Sequence, residues 1–298
     1  MTLDIRAAET DADLEAWRQV RLTVLPTERA PSVAELRAAT DPQLLLVAAL
    51  DGALVGSGLA NRSSFGYAGL HVRVVPSARR RGIATSLLER LAAHALHLGF
   101  SEAGSMVDDG GSLAFAERFG FREIDRQIEQ VRLVGDEPMP AIPAGIEVVA
   151  VADRPELWDA AFDPFALEAV ADMATHRPVL VTREEWRDEW LLWPEAMFLA
   201  LAGEAIVACA GLGADPDRPD RAEQAFTAVA HGWRRQGLAS MLKRRTLAFA
   251  AAAGIREIYT WTQIGNADMR ALNERLGYTT RGLSITIRGQ LPLVSTGR

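Results

Sequence analysis

The chain has 298 residues, longer than one compact domain usually runs, so two domains are the expectation. With 49% hydrophobic and 24% charged residues it has apolar mass for packed cores, which excludes disorder over most of its length. A net charge of −7 argues against duplex nucleic acid as a general partner, because that needs a surplus of Lys and Arg on one face, while a local basic loop still suits a small phosphate ligand.

Taken in chain order, the first half opens with a strand (Leu3 to Arg6) and a helical segment (Asp11 to Leu25). Two β-type runs follow, Leu44 to Leu50 and Ala53 to Leu59. A third, Leu70 to Val75, enters the turn Arg79-Arg80-Arg81-Gly82-Ile83-Ala84. Beyond it Ile83, Leu87, Leu88, Leu91, Ala92 and Ala95 keep the spacing of one buried helix face. A strand (Ala103 to Val107), a short helix (Ser112 to Arg118) and closing β segments complete the half. The stretch Gly135 to Pro143, with three prolines, reads as a linker, which gives domains at 1–137 and 145–298 joined by 138–144.

The second half repeats the order. A strand (Ile146 to Val151), a helical segment (Arg154 to Met173) and β runs (Met197 to Leu201, Ala205 to Leu212, Ala225 to Val229) lead into Arg234-Arg235-Gln236-Gly237-Leu238-Ala239. A helix with Leu238, Met241, Leu242, Phe249 and Ala253 on one face follows, then a strand (Ile258 to Thr262) and a helix (Ala267 to Arg275). The two Arg-rich turns lie 155 positions apart, 79 to 234. The pairs Phe119-Gly120-Phe121 and Leu276-Gly277-Tyr278 lie 157 apart, 120 to 277, so the halves keep nearly the same internal spacing. Strands interleaved with helices, twice over, predict an α/β (α+β) chain of two mixed sheets flanked by helices, in tandem.

A strand that ends in R-x-x-G-x-A and opens into a helix builds an anion site. The first-turn amides lack intrahelical partners and the helix dipole puts partial positive charge there. Gly82 and Gly237 let backbone approach a pyrophosphate, and the arginines add charge-assisted bonds. A capped surface turn explains one such hexapeptide as well, but two in matching context favour phosphate binding.

These residues resemble the GNAT acetyltransferase superfamily. Its loop after the fourth strand, Gln/Arg-x-x-Gly-x-Gly/Ala, is matched by Arg79, Gly82 and Ala84 and again by Arg234, Gly237 and Ala239. The resemblance covers nearly the whole chain as a tandem. It implies a coenzyme A site at Val229, Arg234, Arg235, Gln236, Gly237, Leu238, Ala239 and Ser240, with Asn266 contacting coenzyme or bracing a loop, N-capping of the helix from Ala267 being its equal alternative. In the first half the matching positions are Val74, Arg79, Arg80, Arg81, Gly82, Ile83, Ala84 and Thr85. Acetyl-coenzyme A is then the donor, with no metal.

Acetyl transfer to an amine needs a base, since an alkylammonium with a reference pKa of about 10.4 is protonated at neutral pH. The family often supplies a fourth-strand glutamate. Glu223 lies six residues before Val229, and Ala68 holds that position in the first half. Alternation would put Glu223, Ala225, Thr227 and Val229 on one face; the competing reading of Glu223 is a solvated charge at the strand start, following Asp217, Asp220 and Arg221. The family's tyrosine, donor to the leaving sulfur, is replaced by Asn273 here and Ala116 in the first half. Asn273 and Tyr278 are therefore the catalytic candidates beside Glu223, with Tyr259 or water as other sources of the proton. The second half is expected to carry the chemistry and the first to be structural or coenzyme-binding.

Other residues carry less. Trp186, Trp190 and Trp193, flanked by carboxylates, read as a core face or as an acceptor wall suited to a cationic amine. His94 and His97 read as a solvated or packing pair rather than a metal pair, and His231 as an exposed turn histidine in preference to an aid to phosphate binding. The lone Cys209 forms no intrachain disulfide and reads as buried and structural. No apolar run approaches the roughly 20 residues of a membrane span, and MTLDIRAAET has no leader pattern. The expectation is a cytoplasmic monomer or homodimer that acetylates a small-molecule amine, the alternatives being a protein acetyltransferase and a coenzyme sensor.

Overall fold

The computed structural model describes residues 2–26, 29–39, 42–63, 66–173, 181–215 and 218–294. Local signals start the first elements. After β1 (Leu3–Ala7), α1 (Asp11–Val24) is capped by Thr10, whose side chain accepts from Asp13 N while Asp13 accepts back from Thr10 N. Its apolar stripe Leu14, Trp17 and Val20 is buried, worth about 1.5–3 kcal/mol per large side chain, and Trp17 Nε1 donates to Gly58 O at 2.8 Å. The chain continues through α2 (Val33–Ala38), β2 (Leu44–Leu50), β3 (Ala53–Arg62), β4 (Ala68–Val74), α3 (Ile83–His97), β5 (Glu102–Val107), α4 (Gly110–Glu117) and β6 (Arg122–Leu133).

The second repeat contains β7 (Glu147–Ala150), α5 (Glu156–Ala160), α6 (Leu167–Ala171), α7 (Arg183–Asp188), β8 (Phe198–Ala202) and β9 (Ala205–Ala214). It ends with β10 (Arg221–Val229), α8 (Leu238–Ala252), β11 (Glu257–Gln263), α9 (Ala267–Arg275) and β12 (Thr279–Gln290). The single helix expected over Arg154 to Met173 is instead broken: a π-helical turn, Phe162–Ala166, separates α5 from α6 and buries Phe162 and Phe165 in the core.

Contacts divide the chain into two compact units, Met1–Ile124 with Ser284–Arg298, and Asp125–Leu283. In the first, the strands run β1-β2-β3-β4-β5-β12, antiparallel except for β4 beside β5. In the second they run β7-β8-β9-β10-β11-β6, antiparallel except for β10 beside β11. The sequence places the closing strands with their own halves. In the structure they are exchanged: β6 pairs with β11 from Gln127↔Gln263 to Leu133↔Glu257, and the end of β12 pairs with β5 from Val107↔Ile285 to Glu102↔Gln290. The linker at 138–144, which we still propose as the boundary of the repeats, therefore does not separate the compact units. Any alternating strand can satisfy any open sheet edge, so alternation alone does not choose the partner.

Candidate active site

The site in the second unit begins where two strands part. β10 and β11 pair in parallel at Arg221↔Glu257, Ala222↔Ile258 and Glu223↔Tyr259; beyond that β10 stays with β9 as far as Val229↔Ala208 and β11 with β6 as far as Gln263↔Gln127. Thr260 Oγ1 donates to Gln224 O (3.3 Å) at the mouth of the fork. On its other edge β10 carries a bulge, the register stepping from Gln224↔Leu212 to Thr227↔Ala210. The bulge breaks the alternation expected to align Glu223 with Val229, and an extra residue leaves backbone groups outside the ladder.

From Val229 the chain makes a short turn at His231–Trp233 and enters the loop. Arg235 (φ 61°) and Gly237 (φ 82°) both lie in the left-handed region, and Gly237 is the N-cap of α8 with no side-chain cap. The first-turn amides of α8 thus have no capping side chain, and a Cβ added at Gly237 would meet nothing within 4 Å. An open, uncapped helix start is the cradle a pyrophosphate needs. The first unit repeats it with Arg80 (φ 63°) and Gly82 (φ 82°) ahead of α3. Leu238 and Ile83 are buried, anchoring each helix to its sheet; Gln236 donates to Gly232 O (3.3 Å).

The first arginine of each loop is occupied by the fold. Arg234 Nε donates to Val229 O (3.0 Å) and Arg79 Nε to Val74 O (3.2 Å), stapling loop to strand. The outer edge of Arg234 also meets Asp172 just past α6, and holds that carboxyl below its usual range. His231 joins them, its Nε2 2.5 Å from Asp172 Oδ2 and its backbone N–H donating to Glu168 (2.8 Å).

Glu223 is half-buried at the fork. Burial raises its carboxyl above the ordinary range and Asp215 adds to this, while a hydrogen bond from Tyr259 and the charge of Arg221 pull the other way. The other two catalytic candidates sit elsewhere. Asn273 is fully buried, its amide donating to Gln130 (2.9 Å) and Thr262 (3.5 Å), with Oδ1 unpaired. Tyr278, 2% exposed, packs with Leu247 and Ile258 and points its hydroxyl at Gln224 Oε1 (3.5 Å), on the face of β10 opposite Glu223. Burial raises its phenol pKa. Asn266 is the N-cap of α9, accepting from Met269 N at 3.2 Å.

Trp186, Trp190 and Trp193 all join packed apolar clusters, Trp190 with Trp158 and Trp186, and Trp193 with Phe249, which is the core-face reading. Trp158 and Trp186 stack with centroids 4.1 Å apart and exchange bonds, each Nε1 donating to the other's carbonyl at 2.9 Å, so Trp186 is core. α7 ends at Asp188. Trp190 lies beyond it, edge-on to Phe226 of the bulge (5.0 Å), so aromatic surface reaches the strand that carries Glu223. Burial raises the thiol of Cys209 to about 12, which makes it inert.

Sequence reasoning missed Arg221, Gln224 and Lys243. Lys243 was detectable, because it falls within the helix arc of Met241, Leu242 and Leu247. Arg221 left no local signal, its partners lying up to 92 positions away. The first unit differs at the matching place: β4 pairs with β3 without a bulge from Ala68 to Val74, and Ala68 carries no base. There His71 Nδ1 lies 3.3 Å from Ser105 Oγ across the fork, burial pushing the imidazole down to about 4. Among the described residues no group of three or more His, Cys, Asp or Glu could hold a metal ion, and no helix is long and apolar enough to cross a membrane.

Fold and site together define an α/β protein whose sheet forks beside an open, uncapped helix start, built twice. The chain belongs to the acetyltransferase (GNAT) family, whose model matches residues 10–121 and again 157–278. A mycothiol acetyltransferase of Clavibacter michiganensis is 28% identical over 282 residues, spanning 83% of this chain and 80% of that protein. Among solved structures, a GCN5-related N-acetyltransferase from Sphaerobacter thermophilus has a TM-score of 0.72 at 18% identity, covering 97% of this chain and 95% of the other. A tandem GNAT protein from the clavulanic acid biosynthesis pathway has 0.71 at 19%, covering 97% and 98%. The protein is an acetyltransferase of tandem GNAT architecture.

Proposed function

We propose that the second unit moves an acetyl group from acetyl-coenzyme A to a primary amine of a small molecule, with Glu223 as the base. The observation that carries this is a half-buried carboxylate of raised pKa at the fork, on the bulged strand that leads to the anion loop. A carboxylate made more basic by burial suits an amine acceptor, and Trp190 with Phe226 gives an aromatic wall on which a cationic or partly apolar amine can stack. The similarity to a mycothiol acetyltransferase favours a thiol-cofactor precursor among small amines.

In this reading the Gly237 cradle and the amides of Leu238, Ala239 and Ser240 hold the pyrophosphate, and the backbone of β10 toward Val229 holds the pantetheine arm. The bound donor supplies an activated acyl carbon. Glu223 takes one proton from the ammonium, directly or through water, so that the free amine attacks. The C–S bond breaks as the C–N bond forms, the nitrogen gives its second proton to water, and the thiolate, with a reference pKa of about 8.5, leaves without a tyrosine and takes a proton back from that water, so that the one proton held by Glu223 is the net release to solvent. Asn273 and Tyr278 brace β10 and β11 from the interior. The first unit, with Ala68 and an unbulged β4, is structural or coenzyme-binding.

Glu223→Gln tests the assignment by keeping shape and removing titration. Turnover, read as coenzyme release with glucosamine, S-methylcysteine and lysine as acceptors, should fall by about 10² to 10⁴, with coenzyme affinity unchanged and partial recovery at high pH. Near-parental turnover at neutral pH places the base elsewhere.

A further inference from the structure

We infer that Tyr259 is a positioning residue for Glu223, its ring pinned by the guanidinium of Arg221, and that this pair sets the orientation and protonation of the base. The inference rests on the reading of Glu223 given above. Glu223 and Tyr259 are the last paired residues before β10 and β11 part, and neighbours across a parallel pair point to the same face. The phenol therefore stands beside the carboxylate at the point where the ladder stops supporting it.

The Arg221 guanidinium lies 3.9 Å from the ring centroid of Tyr259, within cation–π range. Arg221 is itself 7% exposed and meets Glu257 (2.8 Å), Glu129 (3.3 Å) and Asp215 (3.6 Å). Arg281 ties Glu129 to Glu257, bonding Glu129 through Nε at 2.9 Å and Glu257 at 2.8 Å. The ring thus rests on a guanidinium fixed from β6, from β11 and from the residue just past β9.

The charges give the hydroxyl its task. Beneath Glu223 stand two guanidiniums, Arg221 and Arg281, and three carboxylates, Glu129, Asp215 and Glu257, with Arg218 near Glu257 on the outside. The nest is close to neutral or slightly negative, so it cannot by itself hold Glu223 ionised against burial. Tyr259 adds a donor without adding charge. Burial, with Glu223 and Asp215 adjacent, pushes its own pKa up to about 12, so it remains a donor throughout a working pH range. A packing role alone would need the ring and not the hydroxyl.

The test separates hydroxyl from ring. Protein carrying ¹³C-labelled glutamate side-chain carboxyls is titrated by NMR, with Glu223 assigned by its loss in Glu223→Gln, and parent is compared with Tyr259→Phe. The Glu223 midpoint should rise by about one pH unit in Tyr259→Phe, the worth of one hydrogen bond to a charged group. The acidic limb of kcat/KM should move up by the same amount, about one pH unit, with about a tenfold loss on the acidic side of that limb and KM for coenzyme unchanged. An unmoved or lowered midpoint overturns the inference. If Glu223→Gln turns over like the parent, the base assignment falls and the catalytic role of Tyr259 with it. If Glu223→Gln is slow and the midpoint stays put, only the role of Tyr259 falls. Should Tyr259→Phe not fold, replacing the tyrosines by 3-fluorotyrosine supplies a stronger donor at the same place; the midpoint must then drop, and a fixed one overturns the inference equally.

Discussion

Lys243 is a charge placed where the fold cannot hold one. It sits on α8, 1% exposed, its Nζ 5.5 Å from the ring centroid of Tyr278, and burial alone pushes its pKa down from 10.5 to about 7. Above pH 7 the folded state therefore binds fewer protons here than the unfolded chain does. Stability must rise with pH from about 7 to 10.5, and the penalty is fully present below 7. Worked from those two pKa values, the cost to the folded state is roughly 4 kcal/mol at pH 7, about 2 at pH 9 and less than about 1 at pH 10. Lys243→Met keeps the volume and removes the titration, so its advantage over the parent should shrink along that curve. Urea unfolding followed by tryptophan fluorescence reads the right region, since six of the seven tryptophans, all but Trp17, lie in the second unit. The difference between variant and parent, measured from pH 6 to pH 10, cancels every other titrating group. A difference that stays flat with pH, or a variant less stable throughout, refutes the buried neutral amine and points to an anionic partner in solution.

Gly237→Glu places a carboxylate in the open cradle; the left-handed φ strains any side chain by about 1 kcal/mol, and Gly237→Ala controls for that. Calorimetry should show coenzyme A binding weakened by a hundredfold or so in the glutamate variant, on the order of 3 kcal/mol, and unchanged binding refutes the loop assignment. Loss of turnover confined to Gly82→Glu, with Gly237→Glu unaffected, would reverse the assignment of the two halves. The exchanged strands predict that a chain cut at a protease site inserted between Met139 and Ile142 runs as one species in native size exclusion, because each unit contains strands from both fragments; separate elution refutes the exchange.

The repeat, the order of most elements and the geometry of both Arg-Gly loops were legible in the sequence because each rests on local physics. A glycine that must take a left-handed φ, a helix start beside it and apolar spacing along one helix face need no distant partner, and Gly82 and Gly237 stand where that reasoning put them. The place of Glu223 on β10 was legible from its distance to Val229, though its alignment along the strand was not, since a bulge leaves no mark in a pattern of period two. The tertiary structure alone decided the rest. It set β6 beside β11 and β12 beside β5, drew Glu129 to Arg221 and Arg281 across 92 and 152 positions, and turned Asn273 and Tyr278 into the interior. Strand partners and buried charge pairs are chosen by which edges and faces meet in space, and that choice is made by the whole chain at once.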